Sequence, residues 1–236
     1  MNQNNQNNKN NHNHPPFRYF HNPHSYLAGY IAEGRECDIC HNKLPGYKIG
    51  GLYGYEDVCE SINFICEKCL VGGKLKGISC QIMSIERKGG SYSKNEYDDL
   101  KDSLKEFHPE LLDDEIKKIA DQRTDEINYC TPKISTWQEF QWPVHCGDYC
   151  CFIGEMGKEE LNNLSLDGNG RKFLDTILFE NEGYKVKGWE GEYELDNLWM
   201  RQLQEHTPRN DKDPVSCLFL FQCLTCGKYL GFTDFD

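Results

Sequence analysis

Apolar residues recur at helical spacing in the middle of the chain, from Lys94 to Gln122. Positions three and four residues apart share one face of a helix, so this spacing predicts two amphipathic helices on either side of "HPE". Pro109 suits the first turn of the second helix, where no backbone N–H is needed. The apolar positions are Leu100, Leu104 and Phe107, then Leu111, Leu112, Ile116 and Ile119.

Short strands are predicted on both sides of these helices. Residues 46–58, "GYKIGGLYGYEDV", mix aromatic residues with the glycines that turns favour. The final "VSCLFLFQCLTCGKYLGFTDFD" has the pattern of a strand, a tight turn and a second strand. The predicted fold class is therefore α+β, with zinc-ribbon-like knuckles on short antiparallel strands and helices in the middle of the chain.

Changes in composition predict the domain organisation. Residues 1–16 are rich in asparagine and histidine and cannot bury an apolar core, so they are predicted to form a disordered tail. Residues 17–236 form the predicted metal-binding domain, with a lobe at 17–93, a helical connector at 94–128 and a lobe at 129–236. The 38% of hydrophobic residues suffices for one domain or two small lobes.

Charge and hydropathy narrow the function classes. The chain has 26 Lys and Arg residues against 38 Asp and Glu, a net charge of −12 that would repel a phosphate backbone. Nonspecific nucleic-acid binding is therefore not expected. No apolar run approaches the ~18 residues of a membrane helix, and the first residues lack the apolar core of a secretory signal. We expect a cytoplasmic protein that does not insert into a membrane.

Thirteen cysteines carry the strongest chemical signal. In a reducing compartment, closely spaced cysteines more often bind metal than form disulfides. Three pairs have the Cys-x-x-Cys spacing, in "CDIC", "CEKC" and "CLTC", and a fourth, in "CGDYC", has three intervening residues. Two such pairs complete a tetrahedral four-thiolate zinc site. The pairs are Cys37/Cys40, Cys66/Cys69, Cys223/Cys226 and Cys146/Cys150.

Two Zn²⁺ sites are predicted from these four pairs. The first joins Cys37/Cys40 to Cys66/Cys69 across 25 residues, and the second joins Cys146/Cys150 to Cys223/Cys226 across 72 residues. The longer loop costs roughly 0.9 kcal/mol more to close. Zinc binding supplies on the order of 10 kcal/mol, so the length does not exclude the second site. Two closed four-cysteine sites would lack the open position of a catalytic zinc, which favours a structural role.

His145 leaves the second site open to other interpretations. Its imidazole could replace a cysteine as ligand, or it could hydrogen-bond a thiolate from outside the coordination sphere. A zinc- or thiol-dependent hydrolase that uses Cys146, Cys150 and His145 is the alternative function. It would require either an open metal position or a thiol with a lowered pKa and an orienting third group. The zinc deaminase signature and the His-Glu-x-x-His motif are both absent.

The other candidate residues have simpler expected roles. Asp148 and Glu139 are expected to form ordinary hydrogen bonds or to be solvated, and Cys151 is expected to face the core. The remaining cysteines are expected to be small buried apolar residues. They are Cys59, Cys80, Cys130 and Cys217.

Several motifs together resemble the bacterial CbrC family, named for a member linked to colicin tolerance. They are "HCGDYCCFIGEMGKEEL", "FQCLTCGKYLGFTDFD", "GGLYGYEDV" before "CEKCLVGG", and "TPKISTWQEFQWPVHC". The chain departs from the family pattern at Cys130, where an arginine is usual, and at Lys133, where a glycine is usual. The resemblance supports zinc binding and implies no particular reaction.

The leading hypothesis is a zinc-stabilised protein that acts by binding another protein. The acidic surface and the aromatic "WQEFQW" are candidate recognition faces, with core packing as the alternative for the aromatic residues. The resemblance adds a toxin-tolerance role, for which an acidic surface would suit a basic toxin. An enzyme is the less favoured class.

Overall fold

The computed structural model describes residues 17–24, 29–49, 62–78, 85, 95–134, 142–179, 199, 203 and 216–235. It confirms the predicted α+β class: the sheets are small and antiparallel, and the longest helices lie in the middle of the chain. The predicted tail at 1–16 lies outside the described residues. The division into two lobes and a connector stays a prediction.

The first sheet is a three-stranded antiparallel sheet near the amino terminus. It consists of β1 (Tyr30–Glu36), β2 (Lys43–Lys48) and β3 (Phe64–Cys66), in that spatial order. The chain passes from β3 directly into α1 (Glu67–Val71) and then into a short 3-10 helix (Lys74–Ile78). This sheet therefore brings the end of β3 and the start of a helix close to the β1–β2 connection.

The two predicted helices are present as α2 (Glu96–Phe107) and α3 (Asp113–Cys130). The side chain of Asn95 caps α2 by accepting a hydrogen bond from the Asp98 amide. The placement of Pro109 in the first turn of the second helix was wrong, because α3 begins after Leu112. Three acidic residues follow Leu112, and carboxylates are favourable at a helix amino terminus.

The carboxy-terminal part contains a small hairpin and a second three-stranded sheet. The hairpin pairs β4 (Val144–His145) with β5 (Asp148–Tyr149). The sheet has the order β6 (Cys151–Met156), β7 (Ser216–Gln222) and β8 (Tyr229–Phe235), so the predicted final strand–turn–strand is confirmed. Helices α4 (Lys158–Leu164) and α5 (Gly170–Phe179) follow β6. None of the helices in the described part of the chain is long and apolar enough to cross a membrane.

Strand β7 is buried on both faces, which explains its continuous apolar sequence. Phe219 and Phe221 belong to the main core, together with Trp142 and residues of the first sheet and α2. Leu218 and Leu220 belong to a second, smaller core beneath α4 and α5. Side chains alternate between the faces of a strand, so the run "LFLF" supplies both cores at once.

Gly46 permits β2 and β3 to approach closely beside a predicted metal ligand. Gly46 pairs with Cys66, and a Cβ at Gly46 would lie 2.2 Å from the Ile65 carbonyl oxygen. We expect Gly46→Ala to lower the free energy of unfolding by about 1–3 kcal/mol, since backbone would have to move. Gly77→Ala is the control, because a Cβ there meets nothing within 4 Å. Chemical denaturation measures both, and equal midpoints would contradict the expectation.

Candidate metal centres

The first cluster unites Cys37, Cys40, Cys66 and Cys69, as predicted from the sequence. Their sulfur atoms all lie within 4.8 Å of one another. The Sγ atoms of Cys40 and Cys66 are 3.7 Å apart, and the Cys66 amide donates to the Cys37 sulfur at 3.3 Å. With Zn–S bonds near 2.3 Å, the edge of a tetrahedron is about 3.8 Å. The cluster therefore fits a four-thiolate metal site.

Two structural elements hold the ligands of the first cluster. Cys37 and Cys40 lie in the turn between β1 and β2, while Cys66 ends β3 and Cys69 lies in α1. The Asp38 carboxylate, inside the turn, accepts hydrogen bonds from the Asn63 and Phe64 amides at 2.7 and 2.9 Å. These bonds connect the turn to the start of β3 and hold the two halves of the site next to each other.

The second cluster unites His145, Cys146, Cys223 and Cys226, again with all donor atoms within 4.8 Å. The Nδ1 atom of His145 lies 3.1 Å from the Cys146 sulfur and 3.4 Å from the Cys226 sulfur. A tetrahedral edge between nitrogen and sulfur ligands of zinc is about 3.5 Å. Three cysteines and one histidine are a common donor set of structural zinc sites.

The turn at Cys223 repeats the backbone geometry of the turn at Cys37. In each, the residue after the second cysteine has a positive φ, 57° at His41 and 74° at Gly227. That residue's amide donates to the first cysteine's carbonyl, at 2.8 Å for His41 and 3.0 Å for Gly227. The Cys-x-x-Cys segments that begin at Cys37 and at Cys223 therefore form the same knuckle.

The other half of the second cluster is a two-residue hairpin turn. His145 pairs with Asp148 across the hairpin, and Cys146 and Gly147 form its loop with φ angles of 50° and 73°. Positive φ at both central residues is the signature of a type I′ turn. Cysteine rarely adopts this conformation, so the fold holds Cys146 in place beside His145.

Cys150 does not belong to this cluster, in contrast to the predicted four-cysteine set. Its amide donates to the Pro143 carbonyl oxygen at 2.8 Å, and Trp142 Nε1 donates to the Cys150 carbonyl oxygen at 2.7 Å. Cys150 thus continues the hairpin ladder beyond the turn and is completely buried. The two-residue turn brings the Nδ1 atom of His145 and the Cys146 sulfur close together, so His145 completes the group of four donors. The sequence signal for this two-residue turn was the glycine directly after Cys146, since type I′ turns favour glycine at their second central position.

Side chains of helices α2 and α3 hold the hairpin turn through hydrogen bonds to Gly147. The Gly147 amide donates to the Ser103 hydroxyl at 2.9 Å, and Arg123 donates to the Gly147 carbonyl oxygen. Asp148, which is 5% exposed, accepts from the Tyr19 hydroxyl at 2.8 Å and is also bonded to the Arg18 guanidinium. Sequence reasoning placed Asp148 in an ordinary hydrogen-bonding role, which this network confirms. It did not anticipate Ser103, Arg18 or Arg123.

The cluster residues differ in how their surroundings shift their pKa values. Burial, followed by the charge of Lys228, lowers the pKa of His145, which favours the neutral imidazole that coordinates metals. Burial raises the pKa of Cys146 to about 12, whereas the Asn42 amide lowers the pKa of Cys40 to about 6. Thiols that are protonated without metal must release protons when they coordinate it.

A family model with the description "Uncharacterised protein family (UPF0167)" matches residues 14–235. The chain belongs to the UPF0167 family. The match includes both cysteine clusters and the helices between them. The two clusters are therefore features of a UPF0167 domain that occupies nearly the whole chain.

Three relatives also carry the UPF0167 name. A UPF0167 protein of Mycobacterium bovis and one of Mycobacterium tuberculosis are each 24% identical over 221 residues, which cover 94% of this chain and 93% of theirs. A UPF0167 protein of Pseudomonas aeruginosa is 27% identical over 110 residues, 47% of this chain and 50% of its own. No solved structure matches this UPF0167 chain.

The remaining residues that the sequence analysis singled out in this UPF0167 protein lie outside the two clusters. Cys151 is buried, as expected, and Cys130 is half-buried beside Gly73. Trp142, at the end of the aromatic segment, is 1% exposed, so it packs in the core and does not form a recognition face. Cys59, Cys80, Glu139 and the rest of "WQEFQ" lie outside the described residues, as does the side chain of Cys217.

Proposed function

We propose that the protein is a cytoplasmic interaction module whose fold is stabilised by two Zn²⁺ ions. The observation that carries this proposal is that each cluster supplies four nitrogen or sulfur donors, the full complement of a tetrahedral ion. Such donor sets favour zinc over magnesium or calcium, which prefer oxygen ligands. A closed site has no position for a catalytic water, so stabilisation is its best-supported role.

An exposed apolar and acidic surface at the α2–α3 junction is the proposed docking face. Phe107 is 46% exposed and Leu112 is 70% exposed, so both present apolar surface to the solvent at this junction. The exposed carboxylates of Glu106, Glu110 and Asp113 lie in the same stretch of chain, where Lys105 forms an ion pair with Asp113 at 2.8 Å. Phe107 also packs beside Gly147 in the hairpin turn of the second cluster, so the metal would hold this face in shape.

The charge of this face favours a basic protein as the partner. The acidic residues would speed association with a positively charged surface, while the two apolar side chains would supply contact area. Tolerance to a basic toxin, the role suggested by the resemblance to the CbrC family, fits this chemistry. Nucleic acid would be repelled by the same carboxylates and by the net charge of −12.

The alternative hydrolase has weaker support. Cys150 is completely buried, and burial raises the pKa of its thiol, the opposite of what a nucleophile requires. The pair of Cys146 and His145 lies inside the second cluster, where both side chains would be metal ligands.

Metal counting tests the stabilising role and the choice of ligands. Native mass spectrometry of zinc-loaded protein should find two ions in the wild type and in Cys150→Ser, and one ion in Cys223→Ser. The first result follows because Cys150 lies outside the cluster, and the last because Cys223 is a donor in it. Equal loss of one ion from both variants would instead make Cys150 a ligand. No bound zinc in the wild type would overturn the proposal.

Partner capture tests the docking face. Wild type and the double variant Phe107→Ser, Leu112→Ser, both zinc-loaded, are cross-linked in a lysate and the captured proteins compared. We expect the wild type to enrich a basic protein that the double variant loses and that high salt releases. Ile78→Ser is the control, since Ile78 is exposed elsewhere on the surface. Identical capture by all three proteins would exclude this face.

A further inference from the structure

A cavity of about 520 Å³ lies between the amino-terminal segment, the end of α1 and helix α3. None of the eight cluster residues lines it. Its volume falls in the range of roughly 300–1,000 Å³ that is typical of small-molecule sites. Neither the metal clusters nor the docking face gives this cavity a role.

The cavity contains two oppositely charged side chains, Arg18 and Glu126, that lie next to each other without a hydrogen bond between them. The Nη1 atom of Arg18 is 3.9 Å from the Glu126 Oε2 atom, which is beyond hydrogen-bond distance. The side chains of Arg18 and Glu126 are 42% and 32% exposed, so both reach the solvent of the cavity. Among the described residues, the Glu126 carboxylate accepts no hydrogen bond.

Arg18 retains donors beyond those that the fold uses. A guanidinium offers five N–H donors in a planar fork. Asp148 engages one edge of the Arg18 guanidinium, and the described residues supply no further hydrogen-bond acceptor to it. The cavity's other ion pair, Lys76 with Asp125, is closed at 2.6 Å. Arg18 and Glu126 therefore offer a ligand a cation and an anion that lie next to each other.

This arrangement complements a molecule that carries a carboxylate and an ammonium group on neighbouring atoms. A guanidinium binds carboxylates in a forked geometry, and a carboxylate accepts hydrogen bonds from an ammonium. A ligand with both charges would engage the guanidinium and the carboxylate at the same time, whereas a ligand with a single charge would engage only one of them. The walls beside them come from Phe17, Val71, Tyr129 and Cys130 and suit an apolar substituent.

We propose that this cavity binds a free α-amino acid with an apolar side chain, its carboxylate on Arg18 and its ammonium on Glu126. Burial raises the pKa of the Glu126 carboxyl against the opposing effect of Arg18, and a bound ammonium would add a further positive charge beside it. The site does not depend on the proposed interaction function.

Calorimetry on the zinc-loaded wild type tests the proposal without a variant. The probes are L-phenylalanine and L-leucine, with phenethylamine and 3-phenylpropanoate as the analogues that lack the carboxylate or the ammonium. We expect saturable binding of at least one of the amino acids, and binding about tenfold or more weaker for each analogue of L-phenylalanine. No saturable binding of either amino acid up to about 10 mM would overturn the proposal. Equal affinity for an analogue would also overturn it.

A matched pair of variants locates the site. Glu126→Gln keeps the size of the side chain and removes the charge, and we expect amino-acid affinity to fall about tenfold or more. Glu33→Gln is the control, since it removes an exposed carboxylate that does not line the cavity. Amino-acid binding that is unchanged in Glu126→Gln would show that the ligand lies elsewhere and would refute this site.

Discussion

Replacing Cys66 with serine should cost the protein one zinc ion and unfold its first sheet. Cys66 ends β3, donates its amide to the Cys37 sulfur and pairs with Gly46, so it is both a candidate ligand and a part of the sheet. Structural zinc contributes on the order of 10 kcal/mol of apparent binding free energy at neutral pH. A domain is typically stable by about 5–15 kcal/mol, so loss of the ion removes most of that margin.

Hydrogen exchange with native mass spectrometry measures both consequences. We expect Cys66→Ser to bind one zinc ion and to lose amide protection across β1, β2 and β3, with less change in β6, β7 and β8. Cys130→Ser is the control, because Cys130 belongs to neither cluster. If Cys66→Ser keeps two ions and full protection, the first cluster is not a metal site.

Asp148→Asn should produce the second large effect, a loss of about 3 kcal/mol in the free energy of unfolding. The carboxylate lies near both Arg18 and Arg123 and accepts a hydrogen bond from Tyr19. An asparagine amide could place its N–H donors against these donors, and it would remove the negative charge nearest to the two guanidinium groups. We expect a loss at the lower end of the range for breaking a buried ion pair, because Arg18 is 42% exposed and water screens its charge.

The same substitution should weaken zinc binding at the second cluster by about tenfold or more. Asp148 pairs with the candidate ligand His145 across the hairpin, and Arg123 connects it to Gly147 in the turn. Denaturation midpoints and competition with a zinc chelator measure the two effects. The control is Asp113→Asn, an 84% exposed carboxylate whose surface ion pair is worth little. Wild-type stability and zinc affinity in Asp148→Asn would show that the network does not support the site.

The sequence predicted the parts of the fold that depend on local pattern. The spacing of Leu100 and Leu104 predicted a helix because turns of 3.6 residues place them on one buried face. The boundary of α3 was less predictable, since Leu111 and Leu112 fit the spacing but lie in the connection before the helix. The exposed Leu112 shows that apolar spacing does not by itself distinguish a core face from a surface one.

The sequence by itself determined the first cluster and the knuckle at Cys223, because two residues between cysteines let one tight turn aim both sulfurs at one ion. Only the tertiary structure decided the rest of the second cluster. His145 and Cys150 both flank Cys146, and the choice depends on a two-residue turn that helices α2 and α3 hold through Ser103 and Arg123. The pairing of Arg18 with Glu126 also joins residues far apart in the chain. Such contacts arise from packing of the whole core, and the spacing of residues along a short stretch of sequence does not predict them.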